Sequence, residues 1–150
     1  MGKDKLRKFK ENETFSCLVQ PSTREVLGCD YRLKGHWNGG FFREERPIVV
    51  ELGCGKGEYT VDLALRNPSF NYIGVDIKGA RLWKGAKFAH ENGLGNVGFL
   101  RTRIEFICSL FARDEVSEVW ITFADPQIGR EKKRLTSPLF LSRYREFLKP

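Results

Sequence analysis

No stretch of this 150-residue chain approaches the roughly 20 consecutive apolar residues that a bilayer-spanning helix needs. The amino terminus lacks the apolar core of a secretion signal, so an exported or membrane-embedded protein is not expected. Cysteine is sparse, and Cys17, Cys29, Cys54 and Cys108 form no Cys-x-x-Cys pair and no metal-ligand spacing. Free thiols in a reducing cytoplasm are the expectation, without a disulfide framework. His90 has no second histidine or cysteine at ligand spacing, so no metal is expected. The chain has no internal repeat and no low-complexity tract. With 41% hydrophobic and 30% charged residues, it has the composition of one globular domain large enough for a real core. The net charge of +7 is unevenly spread. Residues 1–10 carry Lys3, Lys5, Arg7, Lys8 and Lys10 against Asp4, and residues 127–150 carry seven basic groups against two acids. Two basic ends around a neutral middle suggest a polyanionic partner, although basic faces of this kind also occur simply as solvated surface.

The stretch around which the chain is organised is Pro47–Glu58. Ile48, Val49 and Val50 are the short β-branched run of a strand buried on both faces. Glu51 closes the run, and Gly53, Gly55 and Gly57 then alternate with other residues before a helical pattern begins. Glycines in such a turn let backbone N–H groups come close to a ligand. A dinucleotide fingerprint needs its third glycine where Glu58 stands, and a phosphate loop needs a Gly-Lys-Ser/Thr ending that is absent. Acid, apolar residue, Gly-x-Gly-x-Gly is instead similar to the cofactor loop of enzymes that use S-adenosylmethionine. That molecule carries a sulfonium and an ammonium, which an acidic rim favours. A tight turn without a ligand is the alternative. Cys54, inside the turn, reads as a small filler, with a reactive thiol as the other option.

Residues 1–46 show no sustained periodicity. A basic, mobile arm followed by a loop-rich lead-in is expected, with Trp37, Phe41 and Phe42 pinning it to the body or stacking on bases. From residue 47 to residue 150, strands and helices alternate as in a doubly wound, parallel α/β sheet. Helices are expected over Glu58–Arg66, Gly79–Glu91 and Ile104–Phe111, with strands over Phe70–Val75, Val97–Leu100 and Val116–Phe123. Tyr59, Val61, Leu63, Ala64 and Leu65 supply the inner side of the first helix. The second strand ends at Asp76, about 20 residues past the glycines, where an acid can accept both hydroxyls of a ribose. A surface acid ending a strand is the alternative. Ser137 caps a last helix with Pro138 in its first turn and an apolar face from Leu139, Phe140, Leu141, Tyr144, Phe147 and Leu148. In the order 3-2-1-4 the fourth strand is an open edge, which suggests a truncated coding sequence and makes pairing with a second chain conceivable; monomer and homodimer both stay open.

With Glu-Leu-Gly-Cys-Gly-Lys-Gly-Glu (51–58), Ile-Gly-Val-Asp-Ile-Lys (73–78), Phe-Ala-Asp-Pro (123–126) and Lys-Lys-Arg-Leu-Thr-Ser-Pro (132–138) in this order and spacing, the chain resembles the bacterial tRNA (guanine-N7)-methyltransferase family. The lead-in Lys-Gly-His-Trp (34–37) is similar to that of some members. The resemblance implies a Rossmann-like methyltransferase fold, of which this chain carries the N-terminal strands only. It implies transfer of a methyl group from S-adenosylmethionine, leaving S-adenosylhomocysteine, to N7 of a guanosine in the tRNA variable loop. Carried onto this sequence, Glu51 and Asp76 hold the cofactor with the turn glycines Gly53, Gly55 and Gly57, and Arg103 and Ile104 meet the adenine. Asp125 is the acid at the methyl-acceptor site, and Arg130, Lys132, Lys133 and Arg134 hold tRNA phosphates; the alternative for that basic loop is a solvated turn.

Two departures stand out. Arg103-Ile104 occupies the place of the family's usual Asp-Ala, which removes a carboxylate or hands its contact to Glu105. Asp125-Pro126-Gln127 replaces Asp-Pro-Trp and opens a shorter basic loop. The family's C-terminal strands, with a Thr-Asp pair at the guanine site, lie beyond Pro150. A non-catalytic cofactor- or RNA-binding remnant is therefore a competing expectation, and a methyltransferase acting on a protein or small molecule is a third.

Overall fold

Alternation in the apolar strands decides the architecture, because each strand sends successive side chains to opposite faces. The computed structural model describes residues 2–121 and 135–150. In chain order it holds helix α1 (Gly2–Asn12), strand β1 (Leu18–Val19), helix α2 (Thr23–Val26), strand β2 (Ile48–Leu52), helix α3 (Glu58–Arg66), strand β3 (Asn71–Asp76), helix α4 (Gly79–Glu91), strand β4 (Val97–Arg101), strand β5 (Glu118–Ile121) and helix α5 (Pro138–Phe147). A π-helical turn at Trp37–Phe41 and a 3₁₀ helix at Ile104–Ser109 complete the described elements. The sheet runs β1-β4-β3-β2-β5, and every pairing in it is parallel.

The four principal strands follow the expected 3-2-1-4 order. Two of the expected helices, Glu58–Arg66 and Gly79–Glu91, have the ends that their stop signals indicate. Val49, Tyr72, Val97 and Phe99 face α3 and α4, where Val61, Ala64, Leu82, Ala86 and Ala89 cover them. Ile48, Val50, Leu52, Ile73, Val75 and Leu100 face the other way, against the lead-in, the 3₁₀ helix and α5. This two-sided burial is why the strands read as unbroken apolar runs.

The lead-in differs from its expectation. Residues 2–12 form a helix rather than a mobile arm, and β1 adds a fifth strand on the far side of β4. Composition alone does not reveal this, because the partners come from distant residues. Trp83 Nε1 donates to Glu11 (2.7 Å) and Asn12 Nδ2 donates to the Gly79 carbonyl (2.9 Å), fixing α1 along α4. Trp37 is buried, donates from Nε1 to the Leu110 carbonyl (2.7 Å) and stacks on Phe111. Glu115 gathers the N–H groups of Gly35 (2.8 Å), Trp37 (3.2 Å) and Ala112 (2.8 Å). Trp37 and the two phenylalanines thus pack against the body, and Phe41 lies over Gly98 of β4.

Helix α5 is capped by Ser137, whose Oγ accepts from the Phe140 N–H (3.4 Å), with Pro138 at its start. It buries Phe140, Tyr144 and Phe147 but leaves Leu139 and Leu141 exposed, because the helical period centres the inner stripe on the first three. Leu65 of α3 is exposed for the same reason. Beyond α5, Leu148 makes a parallel bridge with Val116, so the rung before β5 is covered. Among the described residues, Glu118–Ile121 has no neighbour on its outer side. No helix among them is long and apolar enough to cross a membrane.

Candidate cofactor site

The C-terminal ends of β2, β3 and β4 meet at one rim, where a doubly wound sheet takes its ligands. The turn from Gly53 to Gly57 is tied to this rim by backbone bonds. The N–H groups of Gly53 and Cys54 both donate to the Val75 carbonyl, at 2.8 and 3.0 Å. Asp76 then braces the turn with its side chain. Its Oδ2 accepts from the Gly55 N–H (2.9 Å) and its Oδ1 from the Lys78 N–H (2.9 Å). Each carboxylate oxygen keeps a second lone pair, so Asp76 can hold the turn and still accept a hydroxyl. Its own carbonyl accepts from Thr102 N–H (3.1 Å), linking the rim to β4.

Two glycines of the turn do different work. Gly55 has a φ of +58° and nothing within 4 Å of where a Cβ would stand, so this part of the backbone is bare toward open space. Gly57, with a φ of +73°, precedes α3 where a Cβ would come 2.5 Å from Phe99 Cε1. The first leaves room for a ligand; the second lets α3 close onto the sheet.

Glu51 does not stand on an exposed rim. It is 3% exposed, beneath the turn, and accepts a hydrogen bond from the Thr60 hydroxyl of α3. Thr60 is itself buried, and no local sequence signal marks it as a partner, since the pairing depends on how α3 packs over β2. Cys54 is buried too. Burial, then the charges of Asp76 and Glu51, hold its thiol well above the ordinary range. It is a neutral filler at physiological pH and not a ready nucleophile.

Beside Asp76 lies a hollow of about 310 Å³, lined by residues that include Gln20, Pro21, Val26, Ile77, Thr102 and Phe106. Arg101 and Arg103 also line it. Arg103 is exposed and stands 3.9 Å from Glu105, and Ile104 is half-buried against the core. Sequence reading singled out Arg103 and Ile104 but missed Ile77 and the lead-in residues. Ile77 follows the strand-ending acid directly, a signal that was available. The lead-in residues reach the hollow only because β1 pairs with β4. A second apolar groove, about 490 Å³, lies between α3 and α4 and takes in Val61, Leu65, Trp83 and Phe88. It also takes in Lys56, Gly57 and Glu58, where the glycine turn runs into α3.

Asp125, Arg130, Lys132, Lys133 and Arg134 lie outside the described residues, as do Pro126 and Gln127. No group of three or more His, Cys, Asp or Glu among the described residues could hold a metal.

Residues 45–150 match a family model described as "Putative methyltransferase". The chain is 59% identical to the tRNA (guanine-N(7)-)-methyltransferase of Christiangramia forsetii, covering 99% of this chain and 67% of that protein. It is 49% identical to the Bacteroides thetaiotaomicron protein of the same name, covering 100% of this chain and 60% of that one. With the Bacteroides fragilis protein at 59%, the chain spans about three-fifths to two-thirds of these relatives' length. Among solved structures, a 16S rRNA (adenine(1408)-N(1))-methyltransferase from Catenulisporales acidiphilia superposes with a TM-score of 0.57 at 24% identity, over 69% of this chain and 47% of that one. Phosphoethanolamine N-methyltransferase 2 of Haemonchus contortus gives 0.55 at 15% identity, over 95% of this chain and 26% of that one. At these identities they speak for the fold alone.

Proposed function

This chain belongs to the tRNA (guanine-N7)-methyltransferase family, and we propose that its glycine turn binds S-adenosylmethionine for methylation of a guanosine N7 in the tRNA variable loop, in the cytoplasm. The observation that carries the reading is 59% identity, sustained over 99% of the chain, to a protein of that name. The geometry fits the cofactor. Bare backbone at Gly55, an acid braced beside it and an adjoining hollow of mixed lining, with Ile77, Val26 and Phe106 among polar and basic side chains, suit a sugar flanked by a flat base with polar edges.

When bound, the cofactor supplies an electrophilic methyl group on a sulfonium. Asp76 accepts its ribose hydroxyls through the lone pairs that Gly55 and Lys78 leave free. Ile77, Thr102 and Arg103 line the hollow that would take the adenine, with Glu105 3.9 Å from the guanidinium of Arg103. Glu51 acts from below: its Thr60 bond fixes α3 against β2, and its negative charge favours a cation above the turn. Guanine N7 already has an in-plane lone pair, so no base is needed to create a nucleophile. The protein's contribution is alignment. Asp125 accepts hydrogen bonds from the guanine edge and offsets the positive charge that methylation leaves on the purine. Arg130, Lys132, Lys133 and Arg134 hold backbone phosphates, which makes binding salt-dependent.

The test is methyl transfer to unmodified tRNA, with the modified base mapped, alongside calorimetric titration with S-adenosylhomocysteine. Asp125→Ala is expected to abolish transfer while leaving the titration unchanged. Unaltered turnover in that variant removes Asp125 from the chemistry. Titratable cofactor binding with no transfer by the wild-type chain favours the cofactor-binding remnant instead.

A further inference from the structure

The amino-terminal helix places its charge beside the cofactor rim. Helix α1 lies along α4, and the two enclose a hollow of about 440 Å³ that reaches Ile77 and Arg101 at the ends of β3 and β4. Lys5, Lys8, Lys78, Arg81 and Arg101 line it against one acid, Asp4. That acid is already engaged, by Arg7 at 2.6 Å and Lys8 at 3.4 Å. Lys5, Lys78 and Arg81 have no carboxylate within ion-pair distance among the described residues. Among the described residues, Arg101 meets only neutral oxygens, the Ile77 carbonyl at 3.1 Å and Gln20 Oε1 at 3.3 Å, with Phe9 under its guanidinium. Four cations are thus gathered with no described acid within ion-pair distance of them, on a surface tied down by the Glu11–Trp83 and Asn12–Gly79 bonds.

We propose that this basic hollow between α1 and the start of α4 grips the phosphodiester backbone of tRNA, beside the cofactor turn and apart from the basic loop at 130–134. The inference rests on the tRNA reading above and adds a second point of contact to it. Concentrated positive charge, here five basic side chains against the one acid Asp4, is what a polyphosphate backbone selects. An anionic lipid surface is the weaker fit. Membrane-surface helices turn a broad apolar face outward, whereas α1 turns Phe9 inward against Arg101 and exposes Lys3, Asp4, Lys5 and Arg7 around the single apolar Leu6.

The experiment measures retention of an unmodified tRNA transcript across a salt series for the wild-type chain and the double variant Lys5→Gln/Arg81→Gln. Both side chains are exposed and outside the cofactor residues. The charge-matched control is Arg113→Gln/Lys149→Gln, at the opposite end of the strands beside Pro47. Losing two phosphate contacts is expected to weaken tRNA binding about tenfold and to make the log–log salt slope shallower by about 1.5. S-adenosylhomocysteine binding should stay unchanged, and the control should match wild type. Equal tRNA affinity and slope in the double variant overturns the hollow while leaving the tRNA reading intact. An equal loss in the control overturns it too, since bulk charge then explains the effect. A wild-type chain that binds S-adenosylhomocysteine but retains no tRNA overturns both. Loss of binding to phosphatidylserine vesicles, with tRNA affinity unaltered, reassigns the surface to lipid.

Discussion

Gly57→Ala probes how the glycine turn is locked to the sheet. Two penalties meet at this position. A φ of +73° costs a residue with a Cβ about 1–2 kcal/mol. The new methyl would also stand 2.5 Å from Phe99 Cε1 and 2.8 Å from Cζ. The ring has little room to retreat, since it is 1% exposed and already lies so close to α4 that a Cβ on Gly85 would be 2.6 Å from its Cζ. Overpacking of that kind adds about 1–3 kcal/mol, for a total loss of about 2–5 kcal/mol. Gly55→Ala meets only the backbone penalty, because its φ is +58° and nothing lies within 4 Å; about 1–2 kcal/mol is expected. Phe99→Leu removes the obstructing ring edge. The Gly57→Ala/Phe99→Leu double variant should therefore be less destabilised than the sum of its singles by about 1–3 kcal/mol. Urea denaturation followed by tryptophan fluorescence reads the four variants against the wild type, with Trp37 buried as the reporter. Additive single effects, or equal losses from the two glycine substitutions, would refute the account of why Gly57 is needed.

Thr60→Val keeps the side-chain volume but removes the hydroxyl that donates to Glu51. The loss of a hydrogen bond to a charged acceptor should lower stability by about 1.5–3 kcal/mol. It should also weaken S-adenosylhomocysteine binding through the displaced start of α3; calorimetry showing wild-type affinity would remove Thr60 from the support of the site. Three shielded thiols, Cys54 buried and Cys17 and Cys108 half-buried, set an alkaline limit. Burial pushes Cys17 up to about 11 from an ordinary 9.0, Cys108 is pushed up to about 12, and Cys54 moves the same way. Unfolded thiols ionise first, so the stability these groups contribute is complete well below pH 9.0 and falls as pH rises through 9.0 toward 11. The urea midpoint should drop between about pH 8 and about pH 10.5, and by less in Cys17→Ala; a flat profile contradicts the burial of these groups.

The order of the four main strands, the start and end of α3 and α4, and the cap of α5 were all legible from local chemistry. Apolar β-branched runs, Asn67-Pro68, Asn92-Gly93 and Ser137-Pro138 act over a few residues, where the chain's own neighbours settle the outcome. The acid that ends β3 and the open backbone at Gly55 were legible for the same reason. The lead-in was not. Helix α1 has a polar, strongly basic sequence that gives little sign of its docked state. It is placed by Trp83 and by the Gly79 carbonyl, about seventy positions away. Strand β1 has only two residues and exists because β4 offers it an edge. Likewise, the burial of Glu51 under Thr60 and the gathering of Lys5, Arg81 and Arg101 into one hollow follow from which helix lies on which strand. From residue 47 onward, local sequence determined which segments become the main strands and helices and where the glycine turn falls between them. Only packing across the sheet decided which distant charges share a surface, because an ion's surroundings are set by neighbours in space and not by neighbours along the chain.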